Sequence, residues 1–336
     1  MRRLPAAIAG FAAIALFVVP VLAHHSMSMF DTSKEILIKG TVARLDWKNP
    51  HIYLIVETVG EDGKRQLIQG EGLAITQALV DGLHKEDLRP GAPVVMRANP
   101  NRSGPGKTVR VLDVTTEDGE IHPFYEANKR TRVLTPATSL AGHWAPNRAA
   151  LGAAFGAMAR WPVTPEGRAT QAKLIADGLC YVEPVPFLAV LDELRTIEVS
   201  KDEVVMNFDN TGDRVDRVIH MTAKHPADVQ PSHQGHSIGR WEGATLVIDT
   251  IAFTPDPSGL GTNVPSSAGK HMVERLTLTE DKTRLRYEVT VEDPMFLTGM
   301  ATLAQQWDYR PDLDFSQDTP GCDKTVADRY KSSLPK

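Results

Sequence analysis

Between residues 35 and 119, apolar and polar positions alternate in short stretches, the pattern of half-buried strands. Ile36, Ile38, Gly40, Val42 and Leu45 mark a first strand, and Ile52, Leu54 and Val56 line one face of a second. Glu61-Asp62-Gly63-Lys64 is a hairpin signal that predicts a third strand at 66–69. Residues 73–83 predict a short helix, with Ala74, Ala78 and Leu79 among its apolar positions. Pro90-Gly91 then turns the chain into a strand at 93–98, and 108–116 reads as another. Five short strands interrupted by one helix predict a small barrel like the oligonucleotide/oligosaccharide-binding (OB) fold.

A second period-two region begins near Leu194. Strands are predicted at 195–199, 203–209, 215–222, 245–253, 270–280, 284–292 and 301–309, with turn signals at Asn210-x-Gly212-Asp213 and Glu280-Asp281-Lys282. Such a meander fits an antiparallel β-barrel or sandwich. Between the two regions the texture changes. Arg130 and Arg132 precede a Gly/Ala-rich stretch at 149–159, and Thr164-Pro165-Glu166-Gly167-Arg168 opens a helix expected to reach about Ala176. This partly helical segment is expected to be a connector packed on the second domain.

The longest apolar run is N-terminal. Arg2 and Arg3 precede residues 6–22, and Val21-Leu22-Ala23 closes the run with a small-residue cleavage pattern. These features predict a secretory signal peptide and a periplasmic or secreted protein. Removing it leaves about 310 residues, enough for two domains with their own cores. The expected organisation is a signal peptide at 1–23, an OB-like domain at 24–120, a connector at 121–178, a second β domain at 179–325 and a tail at 326–336. After the signal no apolar stretch is long enough for a membrane helix, so no stable anchor is expected once it is cleaved. The formal net charge of −5, without a run of five like charges, gives no nucleic-acid-binding footprint. Oligomeric state is left open.

Cys180 and Cys322 are the chain's two cysteines. In an oxidising compartment such a pair predicts one disulfide, with two buried thiols as the alternative. The bridge would close a loop of about 140 residues, for which chain entropy gives roughly 4–5 kcal/mol.

Several short motifs in the first half share a wording. His24-His25-Ser26-x-x-Met29-Phe30-Asp31, Lys39-Gly40-Thr41-Val42, Trp47-x-Asn49-Pro50-His51 and Leu88-x-Pro90-Gly91 resemble DUF6152, an exported bacterial family of unknown function, over about residues 24–120. The resemblance implies export and a small β domain, and imports no reaction. In the second half the resembling residues are His225-Pro226-Ala227-Asp228, the run from Gly235 to Gly243, Asp249-Thr250, Val273-Glu274-Arg275 and Tyr287 to Pro294. They resemble a recurrent exported bacterial module with a lipocalin-like look, over about residues 178–325. That module often has a cysteine near each end, which agrees with pairing Cys180 to Cys322.

Strand parity locates inward polar groups. Glu274 is the sole carboxylate on the face it shares with Met272, Leu276 and Leu278. Tyr287 and Asp293 share a face with Leu285, Val289 and Val291, and Asp249 lies between Val247 and Ile251 on a strand apolar on both sides. Three acids and a tyrosine are thus expected to point into one interior, where desolvation brings a carboxyl toward general acid/base range. The structural alternative pairs Glu274 with an arginine such as Arg240 and gives Asp249 backbone donors. His225, His233 and His236 fall in one loop, with His220 before it and His271 beyond. His233-x-x-His236 offers an acid/base pair or two metal ligands, against loop-ordering hydrogen bonds as the plainer role. Trp241 reads as a packing anchor more than a stacking platform.

The resulting expectation is a small, largely apolar molecule bound in the C-terminal β domain, with cofactor-independent hydratase/lyase, isomerase or hydrolase chemistry. Glu274 or Asp249 would be the base, His233 or His236 the acid, and Arg240 would steady negative charge; Tyr287, Asp293, Trp241 and His271 would line the site. A carrier using the same groups is one alternative. Copper is another, held by the amine and imidazole of a mature N-terminal His24 with His51 or His122; the plainer reading is a frayed terminus. No other cofactor is expected. There is no phosphate loop, G-x-S-x-G elbow or His-Glu-x-x-His.

Overall fold

The computed structural model describes residues 29–60, 62–104, 108–125, 133–171, 180–191, 194–210, 213–261, 263–313 and 321–327. The expected signal segment, His24, Arg130, Arg132 and the expected helix end at 172–176 lie outside them.

The first sheet contains β1 (Ile36–Asp46), β2 (Tyr53–Val59), β3 (Arg65–Glu71), β4 (Pro93–Asn99), β5 (Val109–Thr116) and β6 (Ile121–Pro123). Their order is β3-β2-β1-β4-β5-β6, with a short parallel contact of β3 and β5 at Gly70↔Val109 and Glu71↔Arg110. The sequence pattern did not predict β6, which is only a three-residue extension pairing with β5. Gly40 is required where β1 crosses β2, because a Cβ there would lie 2.2 Å from the Glu57 carbonyl oxygen. Val42, Leu54, Val56, Met96, Val111 and Val114 form the core, covered by Ile75 and Ala78 of α1 (Ile75–Asp81). Asn49 Oδ1 accepts from the first helical N–H, at Ile75 (2.9 Å), and Gly82 at φ 87° ends the helix.

The second sheet is a closed nine-stranded barrel. Its members are β7 (Gly142–Pro146), β8 (Arg195–Val199), β9 (Glu203–Asn210), β10 (Asp213–His220), β11 (His236–Glu242), β12 (Thr245–Ile251), β15 (His271–Leu278), β16 (Arg284–Glu292) and β17 (Ala301–Tyr309). A separate hairpin, β13 (Asp256–Gly261) with β14 (Val264–Ser266), is inserted between β12 and β15. The helices α2 (Arg148–Ala159), α3 (Pro165–Gln171) and α4 (Phe187–Val190) lie between β7 and β8. Two of the barrel strands depart from the sequence reading, as does the β13–β14 hairpin, which it did not predict. β7 falls inside the expected connector, and β11 inside the expected histidine loop. Both carry few apolar residues at alternate positions, so pairing rather than pattern makes them strands.

Every neighbouring pair in the barrel is antiparallel except β10 and β11, which pair in parallel at Ile219↔Ser237 and His220↔Ile238. The interior is filled by Ile248, Met272, Leu276, Tyr287, Val289, Trp307, Met206 and Phe208, all buried. Tyr287 stacks on Trp307 with centroids 5.1 Å apart.

Cys180 and Cys322 form a disulfide. It fastens residues 321–327, which pack on the first sheet. Cys322 makes a β-bridge to Asn49, Lys48 Nζ lies 2.9 Å from Asp323, and Val326 is buried with Tyr53 and Ile55. Val80, Ala145, Leu194 and Leu313 make a further small apolar cluster between the sheets, and Arg310 Nη1 donates to the Val80 carbonyl (3.1 Å). Among the described residues no helix is long and apolar enough to cross a membrane.

Candidate active site

A parallel neighbour cannot be reached by a tight turn, so the chain between β10 and β11 makes a long return over residues 221–235. That return carries His225 back across the outer barrel wall, where His220 ends β10 and His236 begins β11. The turn into His236 requires Gly235. Its φ is +71°, and a Cβ would lie 2.8 Å from the Ile251 carbonyl oxygen.

The histidines converge on Asp249 of β12. His225 Nε2 is 2.9 Å from Asp249 Oδ1, and His271 Nε2 is 3.1 Å from Oδ2. The other ring nitrogen of His225, Nδ1, is 2.8 Å from His236 Nδ1. His220 stacks on His236 with centroids 5.2 Å apart, and its Nδ1 is 3.1 Å from Glu203 Oε1. Glu292 stands 3.8 Å from His271 Nδ1. The result is a belt of imidazoles and carboxylates running across the barrel exterior from β9 to β16.

Electrostatics orders the belt. Partial burial opposes the charge on Asp249, but hydrogen bonds from His225 and His271 outweigh it and hold the carboxyl below its ordinary range. Burial, reinforced by the neighbouring His225 and His220, pushes His236 down from 6.5, so it stays neutral at neutral pH. An ionised carboxylate only accepts, so His225 carries its proton on Nε2 and accepts at Nδ1. His236 therefore donates from Nδ1, and its Nε2 keeps a free lone pair. His236 lines an open groove of about 620 Å³ together with Ser200, Asp202, Glu203, His220, Thr222, Lys224 and Pro226.

Of the residues singled out in the sequence, Asp249, His236 and His271 come together here, with His225 and His220 of the same histidine group. Asp249 does not point inward as expected: Leu246, Ile248 and Thr250 take the inner face of β12, and parity puts Asp249 outside. Its partners are histidines, not backbone donors.

Glu274 does point inward and is fully buried, but its arginine is Arg217 of β10 and not Arg240. Arg217 grips both carboxylate oxygens, Nη1 at 2.8 Å from Oε1 and Nη2 on Oε2. Tyr287 OH donates to Oε1 (2.9 Å), while Arg217 also donates to Thr250 (2.7 Å) and Ser237 (3.2 Å). Burial, reinforced by Glu274, raises Tyr287 well above its ordinary value. This cluster is a saturated structural clamp, and it stands inside the wall while the histidine belt stands outside.

The remaining candidates are scattered. Arg240 is exposed and donates to Glu242 at 2.7 and 3.0 Å, and Trp241 is 45% exposed beside it, too open for a core anchor. Asp293 caps a loop, accepting from the backbone of Ser267, Met295 and Phe296. His233 is held by the Val182 carbonyl (2.9 Å) and Asp256 (3.4 Å), away from His236's partners. In the first sheet and its loops His51 is buried, with Nδ1 2.9 Å from the Gly72 carbonyl, and His122 sits 3.5 Å from Asp87. No group of three or more His, Cys, Asp or Glu among the described residues is arranged to hold a metal ion.

Two participants escaped the sequence reading. Arg217 was detectable, since it alternates with Val215 and Ile219 on an inward face. Lys224 was not, and neither was the role of His225 within the loop's histidines, because their placement depends on the parallel pairing.

Residues 13–110 match the model of DUF6152, a family of unknown function. The match covers β1 to β4 and the start of β5, and none of the barrel. No curated protein matches the chain.

Proposed function

We propose that this chain is an exported acid/base enzyme acting on a small polar molecule in the groove at His236. The carrying observation is the Asp249–His225–His236 relay, whose last free nitrogen belongs to a groove-lining ring. His236 Nε2 takes a proton from a substrate C–H or O–H, or from water. Its Nδ1 proton passes to His225 Nδ1, and the resulting imidazolium rests against the Asp249 carboxylate, which stays ionised. Lys224, also lining the groove, steadies developing negative charge. Lyase, isomerase and hydrolase steps all begin with this transfer.

The lining shifts the expected ligand from apolar to polar, and the reaction site from the barrel interior to its outer wall. Export is part of this proposal, supported by the disulfide. We read the β1–β5 circuit, with its helix between β3 and β4, as OB-like. The antiparallel run from β15 through β17 and β7 to β10 is lipocalin-like, with the parallel β10–β11 pair a departure.

The test is turnover by the mature protein across a panel of small esters, hydroxy acids and enolisable ketones, followed by NMR. His236→Gln should abolish any turnover found and leave the fold intact. Retained turnover in that variant would sink the proposal.

A further inference from the structure

Outside the groove, one buried cluster has chemistry that the relay does not use. Lys270, between the β13–β14 hairpin and β15, is 2% exposed. Its Nζ donates to the carbonyls of Val185 and Gly259, both at 2.9 Å, and lies 3.9 Å from the centroid of Phe253. Glu183 is buried close enough to feel the Lys270 charge, and its Oε2 has no hydrogen-bond partner. The Ser258 hydroxyl lies beside Glu183 without hydrogen-bond geometry to it. Ser266 Oγ is also unpartnered and packs on Gly259, where an added Cβ would sit 1.9 Å from it. Tyr181 donates to Asp256, which His233 also approaches at 3.4 Å.

A lysine that merely braced the fold would have its neighbours satisfied, because each unpartnered buried polar atom costs free energy. Here three such atoms belong to residues that adjoin the amine or the Gly259 carbonyl to which it donates. We propose that Lys270 is a second reactive centre, forming an imine with a small neutral aldehyde or ketone, with Glu183 as the acid.

The amine attacks the carbonyl carbon, a C–N bond forms, and the nitrogen's proton moves to oxygen to give a carbinolamine. Glu183 then protonates that hydroxyl, the C–O bond breaks and water leaves. A protonated imine remains beside the Glu183 carboxylate. Both groups are in the required state near neutrality. Burial brings Lys270 down to about 7 against the pull of Asp256 and Asp293, and burial lifts Glu183 to about 8. The carboxyl groups of Asp256 and Asp293 near the amine favour an uncharged carbonyl compound over an anionic one.

The experiment treats the mature protein with acetaldehyde and sodium cyanoborohydride near neutral pH and maps alkylated lysines by peptide mass spectrometry. Lys270 should be labelled at least about tenfold faster than the exposed Lys64, because an ordinary solvated lysine amine is almost wholly protonated there. Glu183→Gln should slow labelling at Lys270 by at least about tenfold and leave Lys64 unchanged. Pyruvate should label Lys270 more slowly than acetaldehyde. Labelling of Lys270 no faster than Lys64 in the unaltered protein overturns the proposal by itself, whatever the variant's stability. Faster labelling by pyruvate overturns the assigned substrate class.

Discussion

His225 and His236 face each other Nδ1 to Nδ1 across 2.8 Å, a spacing that accommodates one shared proton and repels two. Burial first, and then the His225 and His220 rings, make the folded protein resist charging His236, whose pKa lies below the ordinary 6.5. In the window just below 6.5 the unfolded chain binds more protons than the folded one, so stability rises as pH rises through that window. Acidification through the folded-state value should loosen the 221–235 return before the barrel. Urea midpoints measured against pH should show this slope in the native chain and a flatter one in His236→Asn.

In the proposed relay Asp249 fixes the direction, because only an acceptor makes His225 present Nδ1 as a base. In Asp249→Asn the amide can donate instead, which reverses the tautomer, and no charge remains to hold the imidazolium. We expect turnover to fall by about two to four powers of ten. His271→Gln removes only the second hydrogen bond on the same carboxylate, so its loss should stay within about tenfold. Steady-state rates of the two variants, compared at one pH, check the ranking.

Local alternation made the first sheet readable almost strand by strand, because Ile36 to Leu45 turn one face to the core and so do Ile52, Leu54 and Val56, although Tyr53 and Ile55 between them are buried as well, with Val326. The same rule found Glu274 and Tyr287 on inward faces. It misplaced Asp249, since Val247 and Ile248 are both buried and the strand offers no polar side to read. His225 and His236 were visible as a local cluster, but their meeting is a product of topology. A parallel β10–β11 pair leaves no mark in composition, and without it the His225 ring has no reason to lie on Asp249. The partner of Glu274 was lost for a similar reason: Arg217 and Glu274 sit on strands that are not neighbours in the barrel order.

That pair gives a stability prediction. Arg217 and Glu274 are 2% and 0% exposed in their side chains, so removing one charge strands the other in the core. Arg217→Met should cost about 3–5 kcal/mol by urea unfolding. The double change Arg217→Met with Glu274→Leu should recover much of that, because apolar replacements of similar volume remove the buried charge altogether. If the double variant is no more stable than the single one, the clamp holds the barrel by geometry rather than by compensating its own charge.

Cys322 joins a C-terminal segment that lies on the first sheet to Cys180, at the edge of the barrel domain. The bond spans 142 residues in sequence, so its loss frees a large loop in the unfolded chain. Chain-entropy arguments put the cost of the Cys180→Ser, Cys322→Ser pair at about 4–5 kcal/mol. The structural consequence should be local. Val326 covers Tyr53 and Ile55, and the Asn49 bridge and the Lys48–Asp323 pair would still tie the segment there. An exposed ion pair contributes too little to offset the entropy of ordering the segment. Hydrogen exchange should therefore accelerate at residues 321–327 of the serine variant while the strands of the barrel keep their protection. Unchanged protection at 321–327 would mean that packing on Tyr53 alone anchors the segment, and that the disulfide acts only on the unfolded chain.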